Sequence, residues 1–182
     1  MSVPDFDTDK SSKVPEGCSS PYDFYRLFLS DEFMEELVTN SKLYATRKNR
    51  PEIASKINKD SLIVNIAIMH MTGYLTPSNG QMYWEKREDT QNLVVKKAMS
   101  KRLFRDLTRN TYFTSQEEAD PDDKFWKVRL LFDHLNKTAK LYIRVGEWVS
   151  VDEAVIKYFG PHPLKQYMKG KPHRFGYKVK KD

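Results

Sequence analysis

The spacing of apolar residues divides the chain into a long section with helical period and a short section with strand period. From residue 20 to about residue 145, apolar positions recur every three or four residues, as on amphipathic helices. After Gly146 they alternate with polar positions. Residues 1–19 are polar and lack either period, so we expect them to be disordered.

Cap residues predict where the first helices begin. Ser20 followed by Pro21 is typical of a helix start, and Ser30 predicts a second start just before two acids. We expect the second helix to end before Pro51. Its predicted apolar face consists of Phe33, Met34, Leu37, Val38, Tyr44 and Ala45.

Apolar period and cap residues also predict the later helices. A third helix, starting at Asp60 or Ser61, is apolar nearly all round and therefore belongs at the centre of the core. Residues 91–109 predict a further helix, with Ser100 capping its second half, and Pro121 opens the last one. Between these helices, Tyr83 and Trp84 are expected to serve as packing anchors.

Two strands are predicted after the helices. In residues 147–151 the side chains alternate towards a strand end at Asp152, which shares a face with Trp148 and Ser150. Residues 173–180 form the second pattern, in which three apolar residues alternate with four others. The apolar set is Phe175, Tyr177 and Val179, and the other set is Arg174, Gly176, Lys178 and Lys180.

Composition excludes several classes of protein. Hydrophobic residues make up 39% of the 182 residues, which is enough for a core, but the most apolar run, residues 62–69, is too short to span a bilayer. The first residues show no apolar stretch of a secretory signal, and a single cysteine, Cys18, excludes an internal disulfide and a cysteine-based zinc site. We expect a nuclear or cytoplasmic protein, neither secreted nor bound to a membrane.

Positive charge is concentrated at the end of the chain. Residues 161–182 contain seven basic residues and one acid, whereas residues 1–160 contain 24 of each sign. Such a segment indicates contact with phosphates or with an acidic partner, although terminal lysines can also serve solubility alone. Interleaved Tyr167, Phe175 and Tyr177 favour binding. The candidate nucleic-acid-binding residues are Lys165, Lys169, Lys171, Arg174, Lys178 and Lys180.

Six segments together resemble the piggyBac transposases and the transposase-derived proteins descended from them. They occur in the order of that family and cover nearly everything after residue 20. The segments are PYDFYRLFLSDEFMEELVTNSKLYA (21–45), YLTPSNGQMYW (74–84), MSKRLFRDL (99–107), DKFWKVRLLFDHLN (123–136), VSVDEAVIKYFG (149–160) and LKQYMKGKPHRFGYKV (164–179).

The resemblance implies a mainly α fold in three sections. Residues 1–19 would precede a helical domain over 20–145, the first part of the family's dimerisation and DNA-binding domain. Residues 146–182 would contain the first two strands of an incomplete ribonuclease H-like catalytic domain. The chain is thus identified as a truncated member of the family.

The resemblance also implies a catalytic site of which this chain holds one part. The family uses three aspartates and two Mg²⁺ ions for DNA strand cleavage and transfer, and its first aspartate corresponds to Asp152. The other two would lie beyond residue 182, so Asp152 is expected to be vestigial and to bind metal only if missing ligands complete the site. We therefore expect no enzymatic activity and no cofactor for this chain. Glu153 is expected to have no metal role because it points to the opposite face.

Two departures from the family pattern weaken specific contacts. Gly160-Pro161 stands where the family commonly has Gly-Arg, and Arg129-Leu130 where it often has Arg-Pro. The first departure removes a basic residue and a backbone donor near residue 161.

Three functions remain open from the sequence. The first is an inactive transposase-derived protein that retains sequence-independent DNA binding through its basic end. The second is a protein-interaction module that dimerises or competes with a full-length relative, which the balanced charge of residues 1–160 favours. The third, an active strand-transfer enzyme, requires that the chain be part of a longer product.

Overall fold

The computed structural model describes two compact units. The helical unit comprises residues 17–138, and the second comprises residues 139–182 together with 1–16. The predicted boundaries after residues 19 and 145 stay predictions. Described are residues 14–75, 77, 80, 82–88, 91–114, 122–123, 125–143, 152–158 and 160–181, of which the side chains at 152–154 and 179–181 lie outside the description.

Seven helices and three strands form the described part of the chain. None of these helices is long and apolar enough to cross a membrane. A 3₁₀ turn, Met82–Trp84, lies between the fourth and fifth helices. The helices are α1 Pro21–Phe28, α2 Asp31–Arg47, α3 Pro51–Ala54, α4 Lys59–Tyr74, α5 Leu93–Ala98, α6 Lys101–Asn110 and α7 Trp126–Tyr142, and the strands are β1 Asp152–Lys157, β2 Gln166–Tyr167 and β3 Phe175–Lys181.

The predicted serine caps are confirmed. The Ser20 hydroxyl accepts a hydrogen bond from the Asp23 amide at 3.2 Å, and the Asp23 carboxylate accepts one from the Ser20 amide at 2.8 Å. Ser30 and Ser100 cap α2 and α6 through bonds of 3.3 Å to amides three residues later. Each cap satisfies an amide that the helix itself leaves unpaired.

Two helix starts differ from the predictions, and one additional helix is present. The third predicted helix begins earlier, because Asn58 caps α4 in a reciprocal pair of hydrogen bonds with Ser61. The short helix α3 was not predicted; it begins at Pro51 itself and is too short to show a period. The expectation that Pro121 opens the last helix is wrong, because α7 begins only at Trp126.

Asp123 accounts for the late start of α7. Its carboxylate accepts a hydrogen bond from the Phe125 amide at 2.9 Å and two from the Arg129 guanidinium at 2.7 Å. The bonds from Arg129 are the main reason why the pKa of Asp123 lies below its usual value. Residues 122–123 therefore form the approach to the helix rather than its first turn.

The core of the helical unit lies between α2, α4 and α6. Leu37, Leu62 and Leu107, one from each helix, are completely buried. Removing such a side chain from water contributes about 1.5–3 kcal/mol of stability. The predicted anchors are confirmed, since Tyr83 is buried and the Trp84 indole donates to the Met99 carbonyl at 2.7 Å.

One buried polar residue ties α4 to α6. Asn65 has no exposed surface, and its amide donates to the Phe104 carbonyl at 3.2 Å and to the Thr108 hydroxyl at 3.1 Å. Its carbonyl oxygen has no hydrogen-bond partner within the described part of the chain. The helix that the sequence indicates to be apolar nearly all round therefore contains one buried polar residue. Its two hydrogen bonds fix the register of α4 against α6.

The second unit contains an antiparallel sheet of order β1-β3-β2. The two predicted strands become three, because β2 has only two residues and shows no period. Asp152 does not end a strand as predicted. It begins β1, opposite Lys181, and the backbone stays paired as far as Lys157 opposite Gly176. The predicted strand over 147–151 lies outside the described residues.

Gly176 lets β1 and β3 approach each other closely, and we expect Gly176→Ala to loosen the sheet. A methyl group there would overlap the Ile156 carbonyl oxygen and lie 2.9 Å from its carbon. Because the obstacle is backbone, β1 must shift, at a cost of about 1–3 kcal/mol. Hydrogen exchange should show faster exchange of amides in β1 and β3.

The matched control is Gly73→Ala in α4, where a Cβ atom would meet nothing within 4 Å. This change should raise the stability of the helical unit by roughly 0.5–1 kcal/mol, because alanine favours a helix over glycine. Unchanged amide protection in β1 and β3 of the Gly176→Ala variant would contradict the described register.

Candidate nucleic-acid interface

The register of the sheet collects large apolar side chains on one face. Ile156 lies opposite Tyr177, and Tyr167 lies opposite Phe175. The Tyr158 amide donates to the Phe175 carbonyl at 3.4 Å, which continues the pairing one residue past β1. Since directly paired residues project to the same side, these side chains share one surface. We call this surface, formed by Ile156, Tyr158, Tyr167, Phe175 and Tyr177, the aromatic face.

The rings of the aromatic face touch one another but remain open to solvent. Tyr158 and Tyr177 have centroids 5.1 Å apart, and Tyr167 and Phe175 have centroids 5.2 Å apart. The exposed fractions of Tyr158, Phe175 and Tyr167 are 36%, 43% and 58%. Exposed rings held in position by neighbours offer planar surfaces on which another flat group can stack.

Tyr177 and His162 form the more protected end of this face. The His162 ring meets Tyr177 edge-on at 5.2 Å, and its Nδ1 accepts a hydrogen bond from the Leu164 amide at 3.2 Å. Loss of solvent around the phenol, followed by the influence of Tyr158, raises the pKa of Tyr177. The phenol therefore stays neutral at physiological pH, and this end of the face adds no negative charge.

One of the predicted basic residues contacts the aromatic face, and a second precedes Phe175 in the chain. The Lys165 ammonium lies over the Phe175 ring, 5.6 Å from its centroid, which is cation–π geometry. Arg174 is exposed and immediately precedes β3, and its carbonyl accepts a hydrogen bond from the Met168 amide at 2.8 Å. The structure thus brings together a ring and a cation that the sequence could only place near each other.

The other predicted basic residues are distributed around the sheet. Lys169 and Lys171 are exposed in the connection between β2 and β3, on either side of Gly170, whose φ of 82° suits a turn. Lys178 is exposed opposite Val155, on the face away from the rings. Lys180 pairs with Glu153 in register, and its side chain lies outside the description. Residues 160–181 contain seven basic residues and no acid, so this segment carries a strong positive charge.

The described residues do not themselves form a metal site. Within the described ranges, no group of three or more His, Cys, Asp or Glu residues is arranged to hold a metal ion. The backbone of Asp152 is placed at the start of β1, while its side chain lies outside the description. A pair of Mg²⁺ ions needs several converging oxygen ligands, of which Asp152 remains a candidate from the sequence alone.

Ile156 and Tyr158 belong to the aromatic face but were missed from the sequence. The strand-like alternation that could have identified them is present in the sequence, because Ile156 and Tyr158 alternate with Val155 and Lys157. The run Ala154–Ile156 is apolar at every position and conceals that alternation. Extending the strand beyond Asp152 would have revealed both residues.

Comparison with known proteins identifies relatives over the same part of the chain. A family model described as Transposase IS4 matches residues 20–181. The human PiggyBac transposable element-derived protein 3 is 34% identical over 159 residues, which are 87% of this chain and 26% of that protein. The human PiggyBac transposable element-derived protein 2 is 28% identical over 160 residues, which are 88% of this chain and 26% of that protein. The chain thus spans about a quarter of the length of these relatives.

The fold also matches a solved structure. A piggyBac transposase synaptic complex with hairpin DNA, determined by cryo-electron microscopy, aligns with a TM-score of 0.71 at 20% identity, over 86% of this chain and 34% of that one. The mainly helical architecture with a small antiparallel sheet is therefore shared. Because the family model covers nearly all of the described residues, the chain belongs to the Transposase IS4 family, as a transposase-derived protein of the piggyBac type.

Proposed function

We propose that this chain binds DNA without sequence specificity, through the aromatic face and the basic residues that flank it. The observation that carries the proposal is the Lys165 ammonium over the Phe175 ring, beside further half-exposed rings. A cation next to an open ring can contact a phosphate while the ring stacks on a base. The structurally similar piggyBac transposase complex was determined with hairpin DNA, which supports DNA as the nucleic acid.

The two kinds of side chain have different roles. Exposed Lys169, Lys171 and Arg174 neutralise phosphates, which makes the affinity depend on salt but not on sequence. The rings of Tyr158, Tyr167 and Phe175 stack on unpaired bases, each stack contributing about 1–3 kcal/mol. We therefore expect single-stranded or hairpin DNA to bind at least as tightly as a plain duplex.

The proposal extends to the ancestry of the sheet. Residues 146–182 would begin a ribonuclease H-like domain, and Asp152 would correspond to the first of the three family aspartates, as the resemblance implies. If further ligands completed the site, Asp152 would help to hold paired Mg²⁺ ions, which would supply charge stabilisation for strand cleavage. Because a two-metal site needs several converging carboxylates and Asp152 is the one that corresponds to the family set, we propose that the 182-residue chain alone binds DNA without cutting it.

A second candidate function is self-association or pairing with a longer relative through the helical unit. Adjacent Leu93 and Val94 on α5 are 56% and 67% exposed, and neighbouring apolar side chains favour a protein partner. The related transposase is described as a synaptic complex. This function takes precedence if the chain fails to bind DNA at low salt.

The first test replaces two exposed cations, with Lys171→Gln and Arg174→Gln combined in one protein. Removing each phosphate-binding cation should reduce the slope of log affinity against log salt by roughly 0.7 on single-stranded DNA or 0.9 on duplex. The double variant should therefore bind more weakly at low salt and respond less to added salt. Fluorescence anisotropy with labelled random-sequence DNA measures both effects.

The matched control is Lys42→Gln with Lys56→Gln, which removes the same charge from exposed positions of the helical unit. The control should retain at least most of the affinity and the full slope. Equally weakened binding in both double variants would show that net charge alone, and not the sheet, determines binding.

The second test concerns catalysis. Incubation of the 182-residue chain with supercoiled plasmid and Mg²⁺ should leave the plasmid intact, because one family aspartate cannot organise paired metal ions. Asp152→Ala serves as the control and should behave identically. Magnesium-dependent nicking that Asp152→Ala abolishes would overturn the proposed inactivity while leaving DNA binding unaffected.

A further inference from the structure

A cleft in the helical unit lies outside the proposed DNA-binding surface. It has a volume of about 550 Å³ and lies between the 3₁₀ turn and α6. This volume is within the range of roughly 300–1,000 Å³ that ligand sites occupy. Aromatic side chains of Tyr83, Trp84 and Phe104 form its apolar lining.

The polar atoms of these rings are already engaged. The Trp84 indole nitrogen donates to the Met99 carbonyl at 2.7 Å, and the Tyr83 hydroxyl donates to the Leu75 carbonyl. Trp84 and Phe104 also pack against each other, with centroids 5.1 Å apart. The lining therefore presents mainly carbon, which favours an apolar group on the ligand.

Cations border the cleft along α6. Lys101, Arg105 and Arg109 line it at intervals of four residues. Since a helix rises about 1.5 Å per residue, these three positions extend over roughly 12 Å along one side of α6. Of the described residues that line the cleft, none is acidic.

The positive charge continues beyond the cleft. Arg109 also lines an adjoining recess of about 280 Å³, together with Tyr44, Lys48 and Arg50. The one acid of α6, Asp106, lies 3.7 Å from Arg102 and 3.9 Å from Arg105, so it offsets only part of this charge. An apolar cleft with a row of cations along one side complements a ligand that has an apolar group and several negative charges spread along its length.

We propose that this cleft binds an acidic peptide segment of a protein partner, with an aromatic or large aliphatic side chain seated on Trp84 and Phe104. Carboxylates spaced one helical turn apart match the spacing of Lys101, Arg105 and Arg109. A small anion would reach one or two of these cations and leave the aromatic lining uncovered.

The probe is a fluorescein-labelled synthetic peptide with leucine and phenylalanine one helical turn apart and glutamates on the adjacent positions. Two matched peptides replace either all glutamates by glutamine or both apolar anchors by alanine. Anisotropy titrations of the whole chain should show binding by the first peptide and no binding by either of the others, since the cleft requires charge and anchor together.

Variants of the chain locate the contact. Arg105 and Arg109 are exposed, and Arg105→Gln and Arg109→Gln should each lower the affinity for the peptide by about two- to fivefold. This is the effect expected from the loss of one exposed charge pair. Arg102→Gln is the matched control, because Arg102 lies on the same helix outside the cleft. It should change the affinity less than either of them.

Three results would overturn the proposal. The first is that Arg102→Gln lowers the affinity for the peptide as much as the two cleft variants do. The second is that the peptide with alanine in place of both apolar anchors binds as tightly as the original peptide. The third is a single-stranded oligonucleotide whose own binding depends on Arg105 and Arg109 while the acidic peptide does not bind. The Lys171→Gln and Arg174→Gln protein should bind the peptide normally, so the outcome is independent of the proposed DNA binding.

Discussion

The antiparallel register between β1 and β3 is the constraint on which the proposed function depends. It places Ile156 opposite Tyr177 and Val155 opposite Lys178, which separates a ring-rich surface from a basic one. A slip by one residue would move every side chain of a strand to the other face and mix the two surfaces. Gly176 supports this register, because only a residue without a Cβ atom fits against the Ile156 carbonyl group.

The two units differ in what stabilises them. The helical unit has a core built from α2, α4 and α6, in which Leu37, Leu62 and Leu107 are fully buried. The sheet has three short strands, one of them of only two residues, and its rings are half exposed. A ligand that binds the folded sheet stabilises it by mass action. Binding and folding of this unit are therefore expected to be coupled.

Local chemistry explains how much of the fold the sequence could predict. Ser20, Ser30 and Ser100 were recognisable as caps because each is followed by a helical pattern, and the structure confirms all three. The start of α7 was not recognisable, because it depends on hydrogen bonds that the Asp123 carboxylate accepts from Arg129, six residues later in the chain. The basic residues of the candidate site could be predicted from the sequence, because they are concentrated at the end of the chain. The cation–π contact of Lys165 with Phe175 could not, because the turn between β2 and β3 creates it.

The most direct measurement is amide chemical-shift mapping of the isotopically labelled chain during titration with hairpin DNA. Our account predicts the largest shifts at Tyr158, from Lys165 to Tyr167, and from Arg174 to Lys178, with small shifts in α2, α4 and α6. Shifts concentrated in the helical unit, with the sheet unaffected, would contradict the assignment of DNA binding to the aromatic face. Absence of any shift at low salt would contradict DNA binding itself.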